Sequence, residues 1–146
     1  MILVDANLLL HAYNPRSVQH ARAKAWFEAT LSGTRPVRFA WVTIWAFLRI
    51  TTHARIFEHP LSFEEAAGHV SSWFAQPCVG LLEPGDHHWE TLTTAASAGQ
   101  ASGPLVMDAA LAALAIEHGA TLQTTDRDFA GFTGLKWADP LAASKS

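Results

Sequence analysis

The sequence predicts an α/β domain in which a parallel, twisted sheet carries helices on both faces. Short apolar runs alternate along the chain with segments of helical periodicity, which is the pattern of strands buried on both sides. The length of 146 residues suits one domain, and 49% of the residues are hydrophobic while 16% are charged, so a sizeable core can form. We expect this domain to span residues 1–141 and residues 142–146 to form a disordered tail.

Local signals define the elements in the first half of the chain. Residues 2–4 are β-branched and aliphatic, which predicts a buried strand that ends at Asp5. Ser17 is a favourable N-cap for a helix that Gly33 would end. The apolar residues expected on the buried face of that helix are Val18, Ala21, Ala25 and Ala29. Residues 37–40 predict a second strand, and residues 41–49 predict an aromatic-rich helix.

Capping signals define the elements in the second half. Ser62 and Glu65 have the spacing of a capping box, which predicts a helix running to about residue 76. Residues 78–82 predict a third strand, and Asp86 is a candidate cap for the helix that follows. Residues 107–118 predict a helix that ends at Gly119. Residues 120–124 and 135–137 predict the last two strands.

Composition and charge exclude several classes of protein. The formal net charge of −3 provides no global positive field, so a polyanion would have to be held by local arginines or through a bound cation. The single cysteine excludes an internal disulfide, and the first residues resemble no secretion signal, so we expect a cytoplasmic protein. No apolar stretch approaches the ~20 residues of a membrane span. Most of the six tryptophans are expected in the core, and the others on an exposed surface for a partner.

Four aspartates occupy positions that predict a shared acidic site. Asp5 follows the first strand, and Asp126 and Asp128 follow the fourth, so parallel strands bring them to the same edge of the sheet. Asp108 lies in the first turn of a helix whose start belongs near that edge. Like charges about 4 Å apart repel by about 4 kcal/mol at an effective dielectric constant of about 20. A hard divalent cation, Mg²⁺ or Mn²⁺, would relieve this repulsion and suits phosphodiester hydrolysis.

Each of these aspartates also has a purely structural interpretation. Asp5 can cap the helix that follows it, because aspartate is a favoured N-cap. Asp108 can complement the positive end of its helix dipole. Asp126 and Asp128 can belong to a solvated turn. The predicted metal site therefore depends on the convergence of all four side chains at one edge of the sheet.

Several segments of the sequence resemble the PIN domain family. The opening MILVDAN, at residues 1–7, looks like the start of a PIN domain. The segment DAALAALAIEHGATL from Asp108, the segment TTDRDF at 124–129 and the segment GLKW at 134–137 complete the pattern. The order and spacing of these segments resemble those of the toxins in VapBC-type toxin–antitoxin pairs. The resemblance covers roughly residues 1–141. The resemblance implies a PIN-like fold of three layers.

The resemblance also implies a metal-dependent endoribonuclease, the toxin of a type II toxin–antitoxin pair. Asp5, Asp108 and Asp126 match the acidic positions of the family and would hold the metal, with Asp128 as an accessory catalytic carboxylate. Asn7 would form a hydrogen bond with Asp5 and orient it, and it is also a candidate for contact with the substrate. The implied partners are an RNA substrate, a cognate antitoxin protein that lies along a hydrophobic groove, and a second copy of the chain in a homodimer.

The chain departs from the family pattern at Ala46. Members of the family have a glutamate there, in a segment that reads Ala-Phe-Leu-Arg at residues 46–49 of this chain. Thr43, one turn earlier, would substitute in part through its hydroxyl, and it is also a candidate for contact with the substrate. Arg49 and Arg127 are candidates for contact with the RNA backbone, and Arg16 and Arg55 are weaker ones.

Two other functions remain open from the sequence. The missing glutamate motivates a module that binds RNA or an antitoxin without cleaving RNA. A receiver-like or phosphatase domain is also doubly wound, with acidic residues at the ends of its strands. Such a domain needs a lysine near its phosphate site, and Lys24, Lys136 and Lys145 are poorly placed for that role.

Overall fold

Short strands form one sheet in the described part of the chain. The computed structural model describes residues 1–142; Ala142 is exposed, and the rest of the predicted tail lies outside the described residues. Within that range the strands are β1 (Ile2–Val4), β2 (Val37–Phe39), β3 (Val79–Leu81), β4 (Thr121–Gln123) and β5 (Trp137–Ala138). Each strand lies where the sequence predicted one, with ends that differ by at most two residues.

Helices fill every long connection between the strands. They are α1 (Ala6–Tyr13), α2 (His20–Leu31), α3 (Trp41–Thr51), α4 (Phe63–Phe74), α5 (His88–Ala98) and α6 (Leu105–His118). A short 3-10 helix, Arg127–Gly131, follows β4. None of the helices between residues 1 and 142 has the length and apolar content that crossing a membrane requires.

All strands are parallel, in the order β3-β2-β1-β4-β5. The chain runs outward from β1 to β2 and β3, and then crosses back to place β4 on the other side of β1. Such a reversal is a topological switch point, where parallel sheets leave a crevice outside the carboxyl ends of the strands. The predicted class, a parallel sheet with helices on both faces, is confirmed, and its crevice lies between β1 and β4.

Alternate side chains of β1 enter two separate cores, as the two-residue period of a strand requires. Ile2 and Val4 pack with the buried side chains of α1 to α4, whereas Leu3 packs with those of α6. The first core centres on Trp73, which is 1% exposed and whose indole N–H donates to the Tyr13 hydroxyl at 2.8 Å. The rings that surround Trp73 belong to Tyr13, Phe27, Phe39 and Phe47.

The buried face of α2 differs from the predicted one. The helix begins at His20, three residues after Ser17, whose hydroxyl accepts from the Gln19 backbone N–H in the preceding turn. Val18 and the three predicted alanines are all exposed. Ala23 and Phe27 are buried instead. A phenylalanine removes far more apolar surface from water than an alanine, so the helix turns Phe27 toward the core.

The predicted caps are correct at Ser62 and Gly119 but wrong at Asp86. The Ser62 hydroxyl accepts from the Glu65 N–H, and the Glu65 carboxylate accepts from the Ser62 N–H, each at 3.1 Å. Gly119 has a left-handed φ of 65°, which ends α6. The α5 helix starts two residues after Asp86, at His88. The loop before α5 is held instead by Glu117, which accepts from the Gly85 N–H at 2.9 Å.

Candidate metal-binding active site

Asp5 stands at the carboxyl end of the central strand, where its carboxylate has two donors. Its Oδ1 accepts from the Ala6 N–H at 2.7 Å, which caps α1, and its Oδ2 accepts from the Thr124 hydroxyl at 2.8 Å. Burial raises the pKa of Asp5, and these two hydrogen bonds oppose the rise. The capping role does not exclude a ligand, because each carboxylate oxygen retains a lone pair.

The Thr124 hydroxyl connects the ends of β1 and β4. It donates to Asp5, and it accepts from the Asn7 side-chain amide at 3.2 Å and from the Asp126 N–H at 3.0 Å. Thr124 is fully buried. One donor and two acceptor positions are all that a hydroxyl offers, so this group is saturated. Thr124 was not among the predicted site residues, although its place directly after β4 carries the same signal as that of Asp126.

Asn7 supports the site in a different way from the predicted one. Its amide makes no hydrogen bond to Asp5; it donates to Thr124 Oγ1 at 3.2 Å, and its Oδ1 accepts from the Thr125 N–H at 3.4 Å. Asn7 lies in the first turn of α1, and its side-chain amide bonds to the segment that follows β4 and not to Asp5. Asn7 therefore orients Asp5 through Thr124, and a contact of Asn7 with substrate stays a prediction.

Asp108 approaches the other aspartates from the first turn of α6. Burial raises the pKa of Asp108 to about 6, with further contributions from the negative charges of Asp126, Asp5 and Asp128. Within residues 1–142 its carboxylate accepts no hydrogen bond and pairs with no cation. The dipole of α6 favours the charged form of a carboxylate in its first turn, so it opposes these contributions without cancelling them.

Asp126 and Asp128 lie in the turn that follows β4, as their structural interpretation predicts. Asp126 precedes the 3-10 helix, and its Oδ1 accepts from the Asp128 N–H at 2.9 Å. Asp128 is exposed within that short helix. The turn does not isolate these carboxylates from the others, because both of their charges act on Asp108.

A cavity of about 180 Å³ brings Asp5 and Asp108 together. Thr43 and Ala46 of α3 also line it, as does Met107 of α6. The methyl group of Ala46 thus stands at the position where the resemblance implies a glutamate. Asp126 and Asp128 do not line this cavity. A larger cavity of about 500 Å³ beside α5 has a single acidic residue in its lining, so chemistry rather than size identifies the candidate site.

The acidic side chains fit a divalent cation as donors, but they do not form a finished ligand set. In the part of the chain that the structure describes, no three His, Cys, Asp or Glu side chains stand close enough to hold one ion together. The predicted trio of Asp5, Asp108 and Asp126 is therefore not assembled as a cluster. Mg²⁺ usually binds through one or two carboxylates and retains several waters. Asp5 and Asp108 meet that smaller requirement with oxygen donors alone.

The predicted arginines lie outside the cavity lining. Arg49, in the last turn of α3, and Arg127, next to Asp126, are exposed, and neither joins an ion pair with a described residue. Arg16 pairs with Glu58, which reduces its availability to a phosphate. Arg55 is exposed in the loop after α3. Contact of Arg49 and Arg127 with RNA stays a prediction.

Replacing Thr124 with valine is expected to destabilise the fold by about 2–3 kcal/mol, because three polar partners lose one hydroxyl while the shape is kept. Urea unfolding of the metal-free protein measures the change. Thr124→Ser keeps the hydroxyl and serves as the matched control, with a smaller loss. Equal stability of the valine variant and the parent would contradict the connecting role of this hydroxyl.

Known proteins share both the sequence pattern and the fold. A family model described as the PIN domain matches residues 2–135. The chain is 40% identical over 142 residues to ribonuclease VapC37 of Mycobacterium tuberculosis. The alignment covers 97% of this chain and 99% of that protein.

Solved structures show the same architecture at lower sequence identity. VapC20 of Mycobacterium tuberculosis, described as a toxin that cleaves the sarcin-ricin loop, aligns with a TM-score of 0.65 and 18% identity over 93% of this chain and 99% of that one. A chain of a toxin–antitoxin complex from Klebsiella pneumoniae aligns with a TM-score of 0.64 and 18% identity, over 96% and 98%. At this identity the likeness concerns the fold alone.

Proposed function

The chain belongs to the PIN domain family, and on this premise we propose that it is a metal-dependent endoribonuclease that hydrolyses RNA phosphodiester bonds. One observation carries the proposal: Asp5 and Asp108 line one cavity beside Asp126 and Asp128, and no described cationic side chain pairs with any of them. A crevice that gathers negative charge in this way suits a bound cation. The ribonuclease names of the relatives support this activity over a module that binds without turnover.

Asp5 and Asp108 are the residues that would hold the cation, Mg²⁺ by preference and Mn²⁺ as the alternative. A divalent cation in such a site lowers the pKa of a bound water and neutralises charge that develops on a phosphate. Asp5 is held in one orientation by Ala6 and Thr124, so its lone pairs point in fixed directions. Asp108 accepts no hydrogen bond from the described residues, so its carboxylate retains its full capacity for a ligand.

Asp126 and Asp128 would align the attacking water or bind the cation through water. Asp126 is suited to this because its backbone is fixed by Thr124 while only one of its carboxylate oxygens is occupied, by the Asp128 N–H. Thr43 adds a hydroxyl to the cavity. Arg49 and Arg127 would contact phosphates of the RNA backbone outside the cavity.

The partners belong to the same proposal. We infer that the chain acts in the cytoplasm as the toxin of a pair, as a homodimer, and that a cognate antitoxin covers its site. The toxin–antitoxin complex with which the chain shares its fold supports this assignment. Residues 1–141 would form the functional unit, since the family pattern ends at residue 135 and β5 follows it.

A cleavage assay tests the activity. We expect the purified chain to cleave RNA with Mg²⁺ or Mn²⁺ and to stop when EDTA removes the metal. Asp5→Asn is expected to lower the rate about a hundredfold or more, because it removes charge where the cation binds. Asp86→Asn, an exposed carboxylate in the loop before α5, is the control and should leave the rate unchanged.

Three outcomes would contradict this activity. Cleavage that continues in EDTA would exclude a metal mechanism, and undiminished cleavage by Asp5→Asn would exclude the acidic cavity as its site. A large gain of activity in Ala46→Glu would show that the chain lacks needed chemistry, and would favour the binding module instead.

A further inference from the structure

Thr43 carries a buried hydroxyl that makes no hydrogen bond with any described residue. Its side chain belongs to a residue that is 2% exposed, and it stands third in α3. A threonine inside a helix can donate to the carbonyl four residues earlier, as Thr51 does to Phe47 at 2.7 Å. The carbonyl four residues before Thr43 belongs to Phe39 of β2, where it accepts from the Leu82 N–H at 2.9 Å. The start of α3 therefore leaves this hydroxyl without the acceptor that a helix supplies.

The Thr43 hydroxyl opens into the acidic cavity. In the part of the chain that the structure describes, no polar side-chain atom is both fully buried and without a hydrogen bond. The Thr43 oxygen must then retain some accessible surface, and the cavity that Thr43 lines provides it. The other polar side chains among the described lining residues are Asp5 and Asp108. The rest of the lining is apolar and consists of Ala6, Val42, Ala46, Met107 and Leu111.

The charge of this lining suits one divalent cation rather than two. Asp5 and Asp108 each carry one negative charge when ionised, so a single divalent cation neutralises the pair. A second cation would leave an excess of positive charge, and two doubly charged ions repel each other more strongly than two single charges at the same distance. Asp126 and Asp128 lie outside the lining, and α3 contributes the methyl group of Ala46 rather than a further carboxylate.

Resting on the proposed function, we propose that the cavity holds a single divalent cation and that the Thr43 hydroxyl binds a water in the shell of that cation. Mg²⁺ held by one or two carboxylates keeps several waters, and these waters need hydrogen-bond partners from the protein. A hydroxyl offers one donor and two acceptor positions, and all of them are free at Thr43. Thr43 is thus a positioning residue. This chain departs from the carboxylate that the resemblance implies at Ala46 by using a neutral hydroxyl of the same helix.

Titration of the metal-free protein with Mn²⁺, with the free ion followed by electron paramagnetic resonance, tests both parts of the proposal. We expect a single Mn²⁺ per chain. Thr43→Val is expected to weaken Mn²⁺ binding roughly tenfold, because it removes a group that orients the shell of the cation, and Thr43→Ser to restore most of the affinity. The urea midpoint of metal-free Thr43→Val should not fall below that of the parent, since the hydroxyl has no described partner to lose.

Thr51→Val is the matched control. Thr51 is fully buried on the same helix and lies outside the cavity lining, and its hydroxyl is bonded to the Phe47 carbonyl, so this variant should bind Mn²⁺ as the parent does.

Three results would overturn this proposal. Two Mn²⁺ ions per chain would exclude the single cation, and equal affinity of Thr43→Val and the parent would exclude the role of the hydroxyl. An equal loss of affinity in Thr51→Val would assign the effect to the helix as a whole. The cleavage assay stays separate: one bound Mn²⁺ without RNA cleavage rejects the proposed function alone, whereas metal-dependent cleavage with two bound ions rejects the single cation alone.

Discussion

Asp108→Asn is expected to lower RNA cleavage about a hundredfold or more and, at neutral pH, to stabilise the metal-free protein. The loss follows from removing one of the two carboxylates in the cavity, where charge is needed for a cation and a reacting phosphate. The gain follows from removing a negative charge that burial and three aspartates disfavour. Cleavage rates in Mg²⁺ and thermal unfolding in EDTA measure the two effects.

The pH dependence of the stability gain identifies its cause. The pKa of Asp108 rises from 3.8 to about 6 on folding. The folded state therefore binds the proton more tightly, so this group favours folding below pH 3.8 and that contribution disappears as the pH rises through about 6. Because asparagine carries no charge, the difference between variant and parent should be small near pH 4 and largest above pH 6.

We expect a rise in Tm of about 2–4 °C at pH 7, corresponding to about 1 kcal/mol, since solvent screens a partly exposed carboxyl. Asp86→Asn is the control for both measurements and should change neither. A Tm difference that is the same at pH 4 and pH 7 would show that the gain is not electrostatic. Full cleavage by Asp108→Asn would remove Asp108 from the site.

Trp73→Ala is expected to lower the free energy of unfolding by about 3–5 kcal/mol. Trp73 is buried against four aromatic rings, and its indole N–H donates to the Tyr13 hydroxyl. The substitution leaves a cavity and removes that donor. The expected loss is a large fraction of the free energy of unfolding, which is about 5–15 kcal/mol for a domain. Urea unfolding followed by far-UV circular dichroism measures the change.

Trp89→Ala is the matched control for this substitution. Trp89 is 73% exposed, so its loss should change the free energy of unfolding by no more than about 0.5 kcal/mol. Similar stability losses in the two variants would show that the aromatic cluster around Trp73 does not dominate the core. Trp73→Phe should fall between them, because it refills part of the cavity without restoring the donor.

Local chemistry explains why the fold was predictable from the sequence. The capping box at Ser62 and the glycine at position 119 act within a few residues, and the structure contains both. The buried face of α2 was predicted wrongly because the prediction followed the spacing of Val18 and three alanines. Phe27 is buried instead because it packs against Trp73, which lies in a distant part of the chain.

The candidate site shows the same division between local and distant information. The positions after β1 and β4 follow from parallel strand order, so Asp5 and Asp126 were placed at one edge from the sequence. The hydrogen bonds around Thr124 were not predictable, because Asn7 and Thr124 are 117 residues apart and their side chains meet only in the folded chain. The resemblance implied three metal ligands, whereas the cavity contains two of them.

The contact between Asp5 and Thr124 has a consequence for biosynthesis. The two residues are separated by 119 positions, so Asp5 is synthesised long before Thr124, the residue that donates to it. A nascent chain that stops short of β4 has neither the neighbouring strand nor the donor that fixes Asp5. The acidic crevice is therefore completed only after β4 has been synthesised and has paired with β1.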